Sequence, residues 1–273
     1  MMAHILKQCF RCGRSPWTIA PVLAGILSGC SPLYVLDTLV PAGEYDLASG
    51  ISYGDLPRQK LDIYRPAKPA PSAPVIVFFY GGSWKNGERG QYRFVGEALT
   101  RRGHTVVVPD YRLFPSVTFP AFMTDAARAV RWVRDNLAAG NEKPRPLFIG
   151  GHSAGAHIAA LLAVDRQYLH KEGLSAAILC VVIGMAGPYV FDPKRYRSTR
   201  AVFSGLESTD VARPVKRISG RTPPFLLLHG NSDTTVRLSN TTEFATALRA
   251  AGNVVQTQLF AGIGHSRILL SIS

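Results

Sequence analysis

Residues 147–155 read Leu147-Phe148-Ile149-Gly150-Gly151-His152-Ser153-Ala154-Gly155. A short apolar run stops at Gly-x-Ser-x-Gly, and the helix-forming stretch Ala156 to Val164 follows. This order predicts a strand, a sharp turn at Ser153 and then a helix. The turn needs small neighbours, because Cβ atoms would clash where the strand doubles back into the helix. It exposes the serine hydroxyl and points the N–H groups of the new helix at whatever approaches it. A plain glycine-rich turn carries the same five letters, and the flanking strand and helix separate the two readings.

The rest of the chain continues the alternation. Leu61-Asp62-Ile63-Tyr64 alternates like an edge strand. Val75 to Tyr80 and Thr105 to Val108 have the continuous apolarity of strands buried on both faces. Gly90 to Arg101 and Pro120 to Leu137 carry helical patterns, and Ala176 to Ile183 and Phe225 to Leu228 read as further core strands. Val236 to Ala250 reads as a helix stopped at Gly252, and Val254 to Phe260 as the last strand. Strands that alternate with helices imply a mostly parallel twisted α/β sheet with helices on both faces. A chain of 273 residues, 47% hydrophobic and 18% charged, is large enough for one such domain over residues 51–273 and excludes disorder. Residues 188–222 fall between two core strands and are expected to form a small cap insertion.

A serine hydroxyl is a weak nucleophile until a base takes its proton and an acid orients that base. Ser153 is the candidate nucleophile. His265 lies in Ala261-Gly262-Ile263-Gly264-His265-Ser266, a glycine-rich loop past the last strand, and is the candidate base. Asp233 follows the strand and turn at residues 225–232 and is the candidate acid. It could equally serve as an Asx turn or helix cap. Asp192 and Asp210 are its rivals, but neither directly follows a convincing strand. His229 is expected to hold its turn and His157 to pack beside the site. Developing negative charge on a carbonyl oxygen needs convergent N–H donors. Those of Gly82 and Ser83, in Tyr80-Gly81-Gly82-Ser83-Trp84, and of Ala154 are the candidates.

Together Gly-Gly-Ser-Trp at 81–84, Asp110-Tyr111-Arg112-Leu113, Gly-His-Ser-Ala-Gly at 151–155, His229-Gly230-x-x-Asp233-x-x-Val236 and Gly264-His265 resemble the α/β-hydrolase superfamily. Within it the chain is similar to carboxylesterases of the hormone-sensitive-lipase-like and acetyl- or feruloyl-esterase-like groups, to isoprenylcysteine methylesterases and to arylformamidases. The resemblance covers roughly Tyr53 to Ser266. It implies the α/β-hydrolase fold and acyl transfer to water through an acyl-serine, without metal or cofactor. The substrate class it implies is a small, short-acyl carboxylic ester. An arylformamidase-like amide hydrolase and a hydrolase-fold binding protein with weak turnover are the alternatives. The chain departs from the family pattern at two places. The usual His-Gly-Gly is Tyr80-Gly81-Gly82, so the side chain that supports the oxyanion loop differs. The chain stops eight residues beyond His265, where the family adds a helix that steadies the histidine loop; Ile268-Leu269-Leu270 reads as its first turn. A shortened end is expected to loosen His265.

The N-terminus reads separately. Lys7, Arg11 and Arg14 precede the apolar run Trp17 to Leu27, which is shorter than the ~20 residues of a membrane span. Leu27-Ser28-Gly29-Cys30 resembles the lipobox of bacterial lipoproteins. That resemblance implies a signal peptide over 1–29, a lipid attached to Cys30, and a linker over 30–50. It implies an address in the cell envelope, with Ser31 favouring an outer membrane and the domain facing the periplasm. Cys9 and Cys12 lie in the segment expected to be removed, so no redox or zinc role follows from their spacing. Cys180, inside an apolar run, is expected to be a buried, inert thiol. The net charge of +13 favours anionic lipid headgroups or acidic polymers as partners. Nucleic acid is disfavoured because the bases are scattered and no binding motif appears. The densest cluster is Lys194-Arg195-Tyr196-Arg197 with Arg200.

Overall fold

The computed structural model describes residues 45–68, 73–139 and 144–272. The expected signal segment, Cys30 and the first part of the expected linker lie outside the described residues.

Among the described residues, eight strands form one sheet in the order β1-β2-β4-β3-β5-β6-β7-β8. They are β1 (Tyr45–Ser52), β2 (Lys60–Pro66), β3 (Val75–Phe79), β4 (Thr105–Pro109), β5 (Leu147–His152), β6 (Leu179–Met185), β7 (Phe225–Gly230) and β8 (Val255–Phe260). The pairs β1–β2 and β2–β4 are antiparallel, and the other five are parallel. Every residue of β3 and β4 is buried. That explains their unbroken Val, Ile and Phe runs, because parallel strands are covered on both faces.

Among the described residues, five α-helices accompany the sheet: α1 (Arg93–Thr100), α2 (Ala121–Val133), α3 (Ala154–Val164), α4 (Arg166–Lys171) and α5 (Ser239–Ala250). Helices α2, α3 and α4 pack on one another, whereas α1 packs against the C-terminal 3₁₀ turn Arg267–Ile272. All eleven residues of α3 are buried. A helix apolar all round belongs in the core, and α3 sits against β3, β5 and β6. Among the described residues, no helix is long and apolar enough to cross a membrane.

Three sequence expectations need correction. The last residues of the expected linker form β1, which makes β1 the sheet edge and β2 an interior strand. Its sequence, Tyr-Asp-Leu-Ala-Ser-Gly-Ile-Ser, has little strand propensity of its own. Pairing with β2 supplies the missing stabilisation. The buried Asp62 carboxylate adds to it, accepting from Ser49 Oγ at 2.7 Å and from the Gly50 N–H at 2.8 Å. Second, the run expected as a strand from Ala176 begins as the 3₁₀ turn Ala176–Ile178, and β6 starts at Leu179. Third, Cys180 is exposed. The β5–β6 register passes from Leu147↔Leu179 to Phe148↔Val181, so Cys180 is the extra residue of a bulge and leaves the core face.

The elbow shows why its glycines are required. A Cβ on Gly155 would collide with the carbonyl of Phe79 at the end of β3. Gly155→Ala is therefore expected to cost about 1–3 kcal/mol through overpacking. That predicts a drop in Tm of roughly 3–10 °C in a thermal melt. An unchanged Tm would show that β3 can yield there.

Candidate active site

Ser153 directly follows β5 and caps α3 with φ 54° and ψ −119°. This is a region that L-residues rarely occupy, and holding one there costs ~1–3 kcal/mol. The surroundings over-determine the turn. The Ser153 N–H donates to the Met185 carbonyl at 2.9 Å, and the His157 N–H donates to the Ser153 carbonyl at 3.1 Å. The hydroxyl is thereby held above the carboxyl ends of the central strands, where sheets of this kind place their ligands.

His265 follows β8 and reaches the serine from a loop 112 residues away. Its Nε2 lies 2.9 Å from Ser153 Oγ, and its Nδ1 lies 2.7 Å from Asp233 Oδ2. A carboxylate can only accept from Nδ1–H, so Nε2 is left as an acceptor for the serine proton. Asp233 also has a structural task. Its Oδ1 accepts from the N–H groups of Thr235 at 2.8 Å and Val236 at 2.9 Å. Burial by itself would raise the Asp233 carboxyl. Hydrogen bonds from His229, His265 and the Val236 N–H outweigh burial and hold it well below the usual carboxylate range. The structure thus brings Ser153, His265 and Asp233 together. Both alternatives weighed for Asp233, orienting acid and Asx turn, coexist in one carboxylate. The rivals stand elsewhere: Asp192 accepts from the Lys194 N–H and Asp210 pairs with Arg213.

The other histidines hold the scaffold. His229 Nε2 donates to the Val236 carbonyl at 2.9 Å, and its Nδ1 accepts from Thr241 Oγ1 at 2.7 Å. It braces the turn that carries Asp233. His157 Nε2 donates to the Ala212 carbonyl at 2.7 Å and its ring meets Trp84 edge-on, which ties α3 to the segment between β6 and β7. His152 has a role that the sequence reading missed. Its Nε2 donates to the His265 carbonyl at 2.9 Å, and its ring lies 4.7 Å from the His265 ring. Burial first, and then the neighbouring His265, push its pKa down to about 3. It therefore stays a neutral donor that pins the His265 backbone. Its place inside the pentapeptide was the available signal.

The loop after β3 approaches Ser153 from the other side. A Cβ on Gly81 would lie 3.1 Å from Ser153 Cβ. Gly82, Ser83 and Trp84 have φ of 119°, 55° and 58°. At Gly82 a side chain would strike the Asn86 carbonyl, so glycine is required there on two counts. Among the described residues, none of the Gly82, Ser83 and Ala154 N–H groups has a protein acceptor.

Tyr80 supports this loop in place of the usual histidine. Its hydroxyl donates to Asp110 Oδ1 at 2.8 Å and accepts from Arg58 at 2.7 Å, and its ring stacks on Tyr111 and Tyr92. Arg89 and Arg58 pair with the same buried Asp110. The C-terminal turn Arg267–Ile272 buries Ile268, Leu269 and Ile272, and Arg102 donates to the Ile272 carbonyl. The turn follows directly on the His265 loop and packs against α1 and β7.

Two cavities flank the serine. One, of about 250 Å³, is lined by Trp84, Phe191, Tyr196, Val236 and Arg237 among others. The other, of about 340 Å³, is lined by Gly81, Gly82, Gln91, Tyr92, His152 and His265 among others. Ser153 and Ser83 line both.

A mostly parallel sheet with a strained serine between β5 and α3, a histidine past the last strand and an aspartate past the one before it defines an α/β-hydrolase. Comparison with known proteins narrows the class. The chain belongs to the BD-FAE family, whose model matches residues 61–248. It is 32% identical over 241 residues to the isoprenylcysteine alpha-carbonyl methylesterase of Arabidopsis thaliana, covering 81% of this chain and 56% of that protein. The chain thus spans just over half the length of that curated relative. A truncated carbohydrate esterase from gut microbiota shares the fold, with a TM-score of 0.71 at 20% identity over 84% of this chain and 92% of that one. Esterase 2 of Thermogutta terrifontis, solved phosphoramylated by tabun, has a TM-score of 0.66 at 26% identity, covering 83% and 86%.

Proposed function

We propose that the chain is a serine hydrolase that cleaves small carboxylic esters through an acyl-serine. One observation carries this reading: the continuous hydrogen-bonded line from Ser153 Oγ through His265 to Asp233, at 2.9 and 2.7 Å. His265 Nε2 takes the hydroxyl proton as Oγ attacks the ester carbonyl, and Asp233 stabilises the imidazolium that forms. The carbonyl oxygen, becoming an anion, turns to the N–H groups of Gly82, Ser83 and Ala154. The ester C–O bond then breaks, and His265 returns the proton to the departing alcohol. That step sets the orientation. The alcohol lies in the cavity that His265 lines, and the acyl group lies in the cavity of Trp84 and Val236. Water, activated by His265, then frees the acid. The printed names of the relatives, a methylesterase and esterases, support the same chemistry.

The test is hydrolysis of short aryl esters by protein starting after Cys30, assayed beside an N-formyl aromatic amine. Ester turnover together with fluorophosphonate labelling of Ser153 is expected. Preferential cleavage of the formamide would move the activity to amides, and absence of both turnover and labelling would leave a binding protein. We further propose, from the sequence around Cys30, that the domain is lipid-anchored in the cell envelope. Cys30→Ser is then expected to move the protein from the membrane to the soluble fraction; continued membrane retention counts against the anchor.

A further inference from the structure

The cavity assigned to the acyl group has an unusual charge balance. Trp84, Phe191 and Val236 line it together with hydroxyl and amide residues such as Ser83, Thr235 and Asn240, and Arg237 is its sole charged lining residue among the described residues. Among the described residues, no carboxylate lines it. The Arg237 side chain makes no hydrogen bond or ion pair with any described residue. Arg237 is exposed, as are the similarly unpaired Arg197 and Arg200, whereas Arg58, Arg89, Arg112 and Arg217 each sit on a buried aspartate. Arg237 is also carried on a fixed stretch of backbone. Asp233 holds the N–H groups of the two residues before it, and Asn240 Nδ2 donates to its carbonyl at 3.2 Å. The same Asn240 accepts from the N–H groups of Val190 and Phe191, tying the opposite wall to α5. Around Tyr196 and Thr199, which line the cavity, Lys194, Arg195, Arg197 and Arg200 are all exposed, with Asp192 the one acid in that stretch.

We propose that Arg237 is a specificity determinant that receives a carboxylate at the far end of the acyl group. This rests on the esterase reading above and names its substrate class: short monoesters of dicarboxylic acids. The cavity that Ser153 shares with apolar side chains such as Trp84, Phe191 and Val236 also holds a single guanidinium among its described lining residues. That pattern fits a short hydrocarbon chain ending in an anion. The planar fork of arginine matches the two oxygens of a carboxylate. The surrounding bases raise the local concentration of anionic ligands. The chemistry is unchanged. Ser153 Oγ takes the acyl group, the alcohol leaves with the proton from His265, and water releases the free dicarboxylate.

Methanol release from monomethyl glutarate and from methyl pentanoate, which share a five-carbon acyl chain, provides the test. The wild-type protein is expected to favour the glutarate ester in kcat/KM by about tenfold at low ionic strength. The preference should shrink in 0.5 M salt. Arg237→Gln is expected to bring the ratio near one, chiefly through KM, and Arg237→Glu to invert it. A ratio untouched by Arg237→Gln, or one lowered only by Arg197→Gln or Arg200→Gln, overturns the assignment. Calorimetric titration of the Ser153→Ala protein with monomethyl glutarate reads recognition without turnover. Binding there that weakens about tenfold with Arg237→Gln supports the carboxylate site even if the wild type hydrolyses neither ester, in which case the esterase reading alone fails. Hydrolysis of both esters with no preference, and no Arg237-dependent binding, overturns the site and keeps the esterase.

Discussion

Ser153→Ala is expected to lower ester turnover by about 10⁴–10⁶-fold while leaving the protein folded. The size follows from the coupling of the three side chains. Removing the nucleophile of such a set costs nearly as much as removing the whole set, and the oxyanion donors and binding leave only a residual rate. The fold should survive because the hydroxyl makes one side-chain contact, to His265. The backbone bonds that fix the turn come from the Ser153 N–H and carbonyl, which alanine keeps. Alanine also keeps the Cβ, so the strain at φ 54° is neither relieved nor increased. Rates with a short aryl ester and a thermal melt, measured together, check both halves. Equal rates for the two proteins would move the chemistry away from Ser153.

Asp233→Asn is expected to lower kcat by about 10⁴-fold through the tautomer of His265 rather than through the fold. The amide oxygen can stay where Oδ1 now accepts from Thr235 and Val236, so the turn keeps its hydrogen bonds. The amide NH₂ then faces His265 Nδ1 and donates to it, which moves the ring proton to Nε2. A protonated Nε2 cannot accept from Ser153. The expected signature is a lost rate, lost fluorophosphonate labelling and a KM close to wild type. Asp233→Ala instead orphans the two loop N–H groups as well and should lower Tm. The wild-type carboxylate is held below its unfolded value. Its contribution to stability is therefore complete above the ordinary aspartate range near pH 4 and is lost only as pH falls through the depressed folded value. A loss of activity in Asp233→Asn comparable to a simple destabilising mutation, with labelling intact, would remove Asp233 from the orienting role.

How far the site could be read in advance depended on how local each feature is. The Ser153 turn was legible because its signal, strand, Gly-x-Ser-x-Gly and helix, begins within nine residues, although the groups that demand Gly155 and hold the Ser153 N–H, Phe79 and Met185, lie far along the chain. Asp233 and His265 were legible through chain order and the ends of strands. The choice of Asp233 over Asp192 and Asp210 rested on strand ends alone until the distances separated them. β1 was hidden because Tyr45–Ser52 owes its extended state to β2 and Asp62, which no reading of those eight residues reveals. Cys180 was misread because a bulge between two strands has no signature in either strand. The Asp110 cluster escaped for a similar reason. Its members, Arg58, Tyr80, Arg89 and Asp110, are spread over more than fifty residues and meet only after the sheet forms.

The amino-acid sequence by itself determined the alternation of strands and helices, the strained serine and the order of its partners. These depend on periodicity, turn chemistry and steric need, which act over a few residues. Tertiary structure alone decided that His265 meets a serine 112 residues distant, that His152 pins the His265 backbone and that Tyr80 ties the loop after β3 to Asp110. It also decided that Arg237, without a side-chain partner among the described residues, lines the cavity that Trp84 and Phe191 share with Ser153. Contacts of that range follow from strand order and register, and those are settled by the packing of the whole sheet rather than by any one of its segments.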